Sequence, residues 1–336
     1  MKKVLCIIFI YSLIIAQDGK IDGVVHYNYS QDLTEDATNE NTGFALTRAY
    51  LTYKKNLSDK LSYKFQADMQ NKGEAYYMYI KNAKIDWKLS FGKLIIGLQG
   101  MNIFNIAEKT WGFRFLEKSP MDYHKFSSSA DLGIGYSGKL KNFNYSLLIT
   151  NGSGYKKTEN DKYKKISTQL VYGEKKLVKN DGYNFGIVYS METYDVDIES
   201  EITNDRILKG VFFGFAKNGV RIGGEVDMIA RPETDIIGAD EGGNISTEWN
   251  SQIQAVYASY RLSNRLEGLL YYDMYDPNTD ISNDATDYII MGLNYYPTKG
   301  LVISPNIRLS NPEKSNEELP DNGSTTHAMV NFKFKF

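Results

Sequence analysis

Apolar and polar residues alternate along most of this chain, and almost no stretch has the spacing of an amphipathic helix. Alternate residues of a β-strand face opposite sides of the sheet, so this alternation predicts strands with one apolar and one polar face. The segment 61–69 is an example. Its apolar row is Leu61, Tyr63, Phe65, Ala67 and Met69, and its polar row is Ser62, Lys64, Gln66 and Asp68.

About sixteen such segments follow one another, from Ile21–Ser30 to His327–Phe336. Most have the length of a tilted membrane-crossing strand, about 9–11 residues. Short links such as "NLSDK" and "LSNR" alternate with long ones such as "QDLTEDATNENTG" and "DPNTDISNDAT". Outer-membrane barrels have this asymmetry, with short periplasmic turns and longer outer loops. The pattern predicts an all-β fold, a transmembrane antiparallel β-barrel of about 16 strands, with an interior too wide for side chains to fill.

Three features depart from that pattern. The link "GEKKLVKNDG" is long for a periplasmic turn, and "QNKGE" is short for an outer loop. Pro305 lies inside the predicted strand "LVISPNIRLS", where it removes a ladder hydrogen bond, so a bulge or a break is expected there.

The last ten residues, "HAMVNFKFKF", place Phe332, Phe334 and Phe336 on one face and Lys333 and Lys335 on the other. We predict that the three rings face lipid, where aromatic residues form a girdle at the membrane surface. The two lysines then face the lumen or the periplasmic rim.

The first residues, "MKKVLCIIFIYSLIIAQDG", have the layout of a secretory signal peptide: two lysines, a short apolar run and a small residue. We predict cleavage after Ala16, so that residues 17–336 form a single outer-membrane barrel domain. An uncleaved N-terminal anchor is the alternative. The only cysteine, Cys6, lies in this leader, so the predicted mature chain has neither disulfides nor thiol chemistry.

Composition narrows the function classes. The mean hydropathy is -0.42, and no segment after the leader has the apolar length of a membrane helix. The formal net charge of -2 gives no basic footprint for nucleic acid. A barrel remains compatible with this composition because half of each strand faces water. The predicted location is the cell outer membrane of a Gram-negative-type bacterium, in contact with its lipid and lipopolysaccharide.

The link at 99–127 is the longest outer loop and is rich in aromatic and apolar residues. We expect it to pack against the inner wall and narrow the pore, because a loop in water would not carry such residues. Charged groups at a constriction set the selectivity of pores. The candidate pore-lining residues on this loop are Glu108, Lys109, Arg114, Glu117, Lys118, Asp122, His124 and Lys125, and those on the strands are Arg48, Lys64 and Asp68. A purely structural role, fixing the loop to the wall by ion pairs, is equally open.

The first half of the chain and its last strand resemble the phosphate-selective porins O and P. The stretches that carry the resemblance are "FALTRAYLTYKKNLSDKLSYKFQADM", "AKIDWKLSFGKLIIGLQGMNIFN", "FLEKSPMDYHKFSSSADLGIGYSGKLKNFNYSLLITNG" and "NFKFKF". Within them, Arg48 matches an arginine that begins the second strand in that family, and Glu117-Lys118-Ser119 resembles its Glu-Arg-Ser. "DLG" and "NG" match its Asp-x-Gly and Asn-Gly.

The resemblance implies a sixteen-stranded barrel that is a homotrimer and passes small solutes by diffusion. Separately, the terminal Phe336 resembles the signal by which outer-membrane barrels are recognised for assembly, which implies contact with the barrel-assembly machinery through the last strand. Anion-selective members of the family line the lumen with Lys and Arg. No such ladder can be matched here residue by residue, so phosphate selectivity does not follow.

We therefore predict a porin for passive diffusion of small hydrophilic solutes or ions, with no cofactor, no metal ligands and no catalytic residues. A substrate-specific channel for phosphate or another anion is the main alternative. A barrel enzyme would have to use His26, His124 or His327, of which the first and last lie on strands expected to pair. An adhesin, or cation binding by the acidic loops "DVDIESE" and "DIIGADEGG", are further alternatives.

Overall fold

The computed structural model describes residues 19–34, 42–72, 75–159, 161–197, 202–232, 248–313 and 323–336. The predicted signal peptide lies outside the described residues, as do most of the two acidic loops. No helix among the described residues is long and apolar enough to cross a membrane.

Sixteen strands form one closed antiparallel barrel, in which each strand pairs with its neighbours in the sequence and β1 pairs with β16. The predicted fold class is confirmed. The strands are β1 Lys20–Asp32, β2 Gly43–Asn56, β3 Leu61–Lys72, β4 Ala75–Leu89, β5 Gly92–Gly100, β6 Ala130–Leu140, β7 Phe143–Thr150, β8 Lys165–Gly173, β9 Gly182–Asp197, β10 Ile202–Lys217, β11 Val220–Pro232, β12 Glu248–Arg261, β13 Leu266–Asp276, β14 Thr286–Thr298, β15 Leu301–Pro312 and β16 Thr325–Lys335.

The two ends of the barrel differ in their connections. Seven short connections and the C-terminal Phe336 lie at one end, which we call the turn end; the other is the loop end. The short connections are 57–60, 90–91, 141–142, 174–181, 218–219, 262–265 and 299–300. The two exceptions noted in the sequence persist, since 174–181 is the longest of the turns and only 73–74 separate β3 from β4.

The expected irregularity at Pro305 is resolved differently, because β15 runs straight through it. Along β14 and β15, the pairing passes from Gly292 with Asn306 to Tyr295 with Ile303. The N–H that proline lacks therefore falls in a gap of this ladder, and the strand does not break at Pro305. A register shift does occur in the same strand pair, between Tyr295 and Thr298 of β14.

The strand faces differ as the alternation predicts. On β10, Val211, Phe213 and Phe215 point outward and are 43%, 47% and 42% exposed, whereas Phe212 between them is 2% exposed. The buried polar residues of neighbouring strands, such as Asp227, lie on the inner face. An apolar exterior of this extent requires an apolar surrounding.

Two register shifts change which side chains reach the lumen. The pairs His26 with Arg48 and Tyr27 with Leu46 leave Thr47 as an extra residue in β2. Opposite β3, the pairs of β4 skip Lys81. A β-bulge redirects side chains locally, and it brings Lys81 to the inner face, where it is 8% exposed.

The connection between β5 and β6, residues 101–129, folds into the barrel, and we call it the inner loop. It contains two short helices, α1 (Ala107–Trp111) and α2 (Pro120–Tyr123). Gly112 ends α1 in the left-handed conformation, with a φ of 79°, which glycine adopts without steric cost. Phe126 and Trp111 are 2% and 1% exposed and pack in two apolar clusters with lumen-facing side chains.

Candidate functional site: a basic passage between the inner loop and β2–β5

Side chains of the wall from β8 to β16 hold the backbone of the inner loop. Each donates a hydrogen bond to a loop carbonyl: Gln169 to Ile103 (3.1 Å), Tyr257 to Ala107 (3.1 Å), Arg221 to Trp111 (3.2 Å), Asn331 to Phe115 (3.3 Å) and Arg308 to Leu116 (2.8 Å). The loop therefore covers that half of the inner wall. The lumen that remains lies between the loop and β2–β5.

Arg308 on β15 makes the densest of these attachments. Its Nη1 lies 3.0 Å from Glu117 Oε2, its Nη2 donates to the Leu116 carbonyl, and its Nε donates to Asn306 at 3.0 Å. Tyr288 on β14 donates to the same Glu117 carboxylate at 3.2 Å. The guanidinium group thus satisfies a carboxylate and a carbonyl of the loop at once.

Within the inner loop, Arg114 bridges two carboxylates. Its Nη1 lies 2.8 Å from Glu108 Oε2 and 2.5 Å from Asp122 Oδ2. Burial disfavours the charged form of Asp122, but Arg114 and Lys118 outweigh it and hold the pKa of this carboxyl below its usual value. Burial also opposes the charge on Arg114, but Glu108 and Asp122 raise its pKa well above the ordinary value. This cluster fixes α2 relative to α1.

The three histidines do not form a common site. His124, at the end of α2, lies 3.0 Å from the buried Asp273 of β13 and so anchors the loop. His26 and His327 lie on paired strands, as expected, but His26 is opposite Lys333 and His327 is opposite Asp32, so the two histidines are not neighbours. No group of three or more His, Cys, Asp or Glu with metal-binding geometry occurs among the described residues.

A cavity of about 570 Å³ lies toward the turn end, and we call it the inner chamber. Met101, Ile106 and Lys109 of the inner loop form one side of it. Among the described residues that line it, Asp86 is the single acid. Its lysines are Lys54, Lys55, Lys64, Lys84, Lys93, Lys109, Lys175 and Lys176.

Three of these lysines form a row across neighbouring strands. Lys54 of β2 is directly opposite Lys64 of β3, which is directly opposite Lys84 of β4. Lys84 is paired with Asp86 at 2.8 Å, but the same carboxylate also serves Lys93 at 3.4 Å. Lys54 is paired with Asp22 of β1 at 3.3 Å. Like charges directly opposite each other are unfavourable in a sheet, so three adjacent lysines on the inner face indicate a role in the lumen.

A second cavity, of about 510 Å³, lies toward the loop end, and we call it the outer chamber. Serines 127–129 line it together with a stretch of the β7–β8 connection. Among its described lining residues, Asp122 is the single acid, and the cations are Arg48, Arg114, Lys118, Lys125, Lys156 and Lys157.

A polar cluster beside the outer chamber centres on the fully buried Asp68. Its carboxylate lies 3.6 Å from Arg48 Nε and 3.7 Å from Lys81 Nζ, and it accepts a hydrogen bond from Tyr155 at 2.9 Å. Lys81 also lies 5.3 Å from the centre of the Tyr50 ring. Strands β2 and β3 contribute to both chambers, through Lys54 and Lys64 in the inner one and Arg48 and Gln70 in the outer one.

Tyr155 and Lys156 belong to a second connection that turns inward, residues 151–159 between β7 and β8. Asp131 on β6 holds its start, because its carboxylate accepts hydrogen bonds from the N–H groups of Gly152 (2.6 Å) and Gly154 (3.2 Å). Lys156 then donates to Gln70, which narrows the outer chamber.

Asp131→Asn is expected to destabilise this connection by about 1–3 kcal/mol, because an amide offers one acceptor oxygen and turns an N–H toward a backbone donor. Faster amide exchange at residues 152–156 measures the effect. Asp161→Asn is the control, since Asp161 is exposed and accepts one local bond from the Tyr163 N–H. Equal exchange rates in the two variants would show that Asp131 does not anchor the segment.

The structure brings most candidate residues of the sequence to this passage. Arg48, Arg114, Lys118, Asp122 and Lys125 line the outer chamber, and Lys64 and Lys109 line the inner chamber. Asp68 is buried beside Arg48. Glu108 pairs with Arg114, whereas Glu117 and His124 face the opposite wall as loop anchors. Phe334 and Phe336 are exposed on the outer surface, and Phe332 stacks on Tyr27.

The sequence analysis did not identify several of the cations that line the passage. Lys54 and Lys84 lie on polar strand faces that alternation identifies, so a count of lysines on those faces would have found them. Lys81 breaks the alternation because of the bulge. Lys156 and Lys175 lie in connections, whose path into the barrel has no local signal in the sequence.

No protein-family model matches the chain, and no curated protein matches it. Solved structures share its fold. An anion-selective porin from Comamonas acidovorans aligns with a TM-score of 0.69 and 13% identity over 95% of this chain and 99% of that one. OmpF of Salmonella typhi aligns with a TM-score of 0.67 and 14% identity, over 95% of this chain and 97% of that one. The OmpT outer-membrane protein of Vibrio cholerae, with loop L8 deleted, aligns with a TM-score of 0.65 and 12% identity, over 95% of this chain and 100% of that one.

The chain therefore has the fold of the outer-membrane porins. The coarser part of the resemblance in the sequence, a porin barrel, is confirmed at the level of fold. The narrower part, membership of the phosphate-selective porins O and P, is not shown by the likeness to these structures.

Proposed function

We propose that this protein is a passive diffusion channel of a Gram-negative-type outer membrane, and that it prefers small anions. Membrane insertion is supported by the apolar exterior, which would otherwise be exposed to water. A water-filled lumen is supported by the two polar chambers beside the inner loop. The porin fold agrees with both.

The preference for anions is carried by the lysine row Lys54–Lys64–Lys84. Two acids offset this row, Asp22 beside Lys54 at 3.3 Å and Asp86 beside Lys84 at 2.8 Å, and Lys64 between them has no ion pair among the described residues. The eight lysines that line the chamber outnumber these acids. Pairing between neighbouring strands thus brings together a row of lysines that could not be recognised from the sequence. One structural neighbour is described as an anion-selective porin, which agrees with this proposal.

The mechanism is restricted diffusion with no covalent step and no cofactor. An anion enters the outer chamber, where Arg48 and Lys156 attract it, and passes Lys81 to reach the lysine row. Conduction requires that each site bind strongly enough to admit the ion and weakly enough to release it. Asp68 and Asp86 serve this need, because each offsets part of the positive charge around it.

Planar-bilayer recording of the purified protein tests the proposal. Under a KCl gradient, we expect stepwise ohmic openings and a reversal potential of the sign that chloride preference produces. A reversal potential that indicates cation preference would overturn the proposed anion preference but not the proposal that the protein is a channel. No conductance from correctly folded protein would overturn the channel and favour an adhesin or an enzyme.

A substrate-specific anion channel is a second candidate, favoured by the six cations and the serines around the outer chamber. Phosphate added to one side during the same recording separates the two. Block of the chloride current at low phosphate concentration would indicate a binding site for that anion. A current that phosphate leaves unchanged would indicate a channel selective by charge alone.

Anion preference is expected to decline with rising pH earlier than ordinary lysines would titrate. Burial and the neighbouring Lys139, Lys176 and Lys93 lower the pKa of Lys175, and burial and Arg48 lower that of Lys156. A lysine with a lowered pKa is charged at neutral pH and loses its proton sooner as pH rises. Reversal potentials recorded between pH 7 and pH 10 measure this; an unchanged preference at pH 10 would contradict it.

The remaining partners are proposals of the same kind. We propose contact with outer-membrane lipid and lipopolysaccharide and a homotrimeric assembly, as the resemblance implies. Recognition of the C-terminal strand by the barrel-assembly machinery is also proposed. Phe336 exchanges backbone hydrogen bonds with Gly23 at 3.0 and 3.1 Å, so its exposed ring lies at the seam where the barrel closes.

A further inference from the structure

Exposed Lys and Arg residues outnumber exposed acids at the turn end, and the passage does not account for this excess. Each of the seven short connections has an exposed Lys or Arg within it or within two residues of it. Among these cations are Lys60, Lys88, Lys141, Lys176, Lys179, Lys217, Arg265 and Lys299. In the same connections, the exposed acids among the described residues are Asp59 and Asp181. The chain as a whole has a net charge of -2, so this end is far more basic than the average.

Exposed aromatic residues lie beside this ring of cations. Trp87 is 46% exposed at the end of β4, Phe91 is 85% exposed in the next turn, and Tyr183 and Tyr260 are 57% and 52% exposed at the ends of β9 and β12. Aromatic side chains at strand ends mark the level of the membrane surface in barrels. The basic turns therefore lie at the level of lipid headgroups or just beyond them.

We propose that this basic ring binds anionic phospholipid headgroups of the periplasmic leaflet. The cations follow the whole circumference, from the β2–β3 turn to the β14–β15 turn, and so fit a partner that itself surrounds the barrel. A folded protein would contact one sector of the ring and leave the rest unused. Lysines near a membrane surface attract anionic lipids, and their apolar stems lie along the interface while the ammonium group reaches the phosphate.

Most of the ring is distinct from the passage, because Lys176 is the single cation named above that also lines the inner chamber. Lys60, Lys217 and Lys299 line neither the inner nor the outer chamber, and their side chains make no hydrogen bond or ion pair within the described part of the chain. Lys217 follows Val211, Phe213 and Phe215 on the outward face of β10. The inference rests on the membrane insertion in the proposed function and is independent of the anion preference.

The test uses vesicles of equal parts phosphatidylglycerol and phosphatidylcholine, the same in both leaflets, so that the direction of insertion has no effect. Native protein is extracted, and the two lipids that remain bound are quantified by mass spectrometry. We expect phosphatidylglycerol to be enriched about five-fold at the ring sites, the gain expected for one basic residue at an anionic surface. The enrichment is expected to fall in 1 M salt, where charge attraction is screened beyond about 3 Å.

The ring variant changes Lys217 and Lys299 to Gln, and it is expected to lose most of the enrichment. The matched control changes Lys162 and Lys164 to Gln, two exposed lysines near the loop end that line neither chamber, and it is expected to keep the enrichment. Both variants lose the same charge, so an equal loss in the two would overturn the proposal as an effect of net charge. Heat-dependent gel mobility shows that each variant is a folded barrel.

Two other outcomes are informative. Wild-type protein that inserts but retains both lipids equally would overturn the lipid proposal, and binding of polyglutamate to the inserted protein would then assign the ring to an anionic periplasmic macromolecule. Failure to insert into any vesicle would instead contradict the proposed function itself.

Discussion

Arg308→Met is expected to release the inner loop from the barrel wall. The substitution leaves the part-buried Glu117 carboxylate without its cation and removes the donors to the Leu116 carbonyl and to Asn306. Loss of one partner of a buried ion pair costs about 3–5 kcal/mol, because the other charge stays out of water. We expect the free energy of unfolding in urea to fall by that amount, and single-channel currents to become larger and noisier as the loop leaves the lumen.

Arg265→Met is the control for this experiment. Arg265 is exposed in a turn, so its replacement is expected to change stability by less than about 0.5 kcal/mol. Glu117→Gln provides a second comparison, since the amide keeps a hydrogen-bond acceptor for Arg308 and the Tyr288 hydroxyl. A stability of Arg308→Met equal to that of Arg265→Met would show that the wall holds the loop by its apolar clusters alone.

Changing Lys54, Lys64 and Lys84 to Glu is expected to convert anion preference into cation preference. The three positions lie side by side across β2–β4, so the substitution replaces a concentrated positive field in the inner chamber by a negative one. Selectivity in pores follows the sign of such charges. We expect the chloride-to-potassium permeability ratio, from reversal potentials, to fall by about tenfold or more, on the scale that 1.4 kcal/mol of field energy gives.

The triple Gln variant separates charge from size and is expected to give an intermediate ratio. A control that changes Lys162 and Lys164 to Gln, near the loop end and outside both chambers, tests whether any lysine affects selectivity equally. A permeability ratio that the Glu variant leaves unchanged would place the selectivity of the channel elsewhere, with the outer chamber around Arg48 as the next candidate.

How much of the fold and of the candidate site could be predicted from the sequence depends on how far apart along the chain the interacting residues lie. Strand order and face alternation are local, so the barrel and the inward position of Arg48, Lys64 and Asp68 could be predicted. The row that joins Lys54, Lys64 and Lys84 depends on register between strands, which alternation does not fix, because a shift by two residues leaves every face unchanged. Lys81 could not be predicted to face the lumen, because the extra residue of the bulge in β4 reverses the direction of its side chain.

The inner loop shows the same limit. Its aromatic residues predicted burial against the wall, which the structure bears out for Trp111 and Phe126. Its charges gave no such guide. Glu117 and Arg114 look alike as candidates in the sequence, but one is tied to Arg308, 191 residues away, while the other closes a cluster within the loop. The partner decides the role, and the partner lies far along the chain.

The length of these connections has a consequence for the order in which the protein folds. Asn331, on the last strand, holds the carbonyl of Phe115 across 216 residues, and the Arg308 bond to Leu116 spans 192. Such contacts form only after the loops between them have closed, and that closure is slow. The inner loop is therefore expected to remain undocked until β15 and β16 have joined the sheet. During assembly the passage would be wide and unselective, and its closing step would coincide with completion of the barrel.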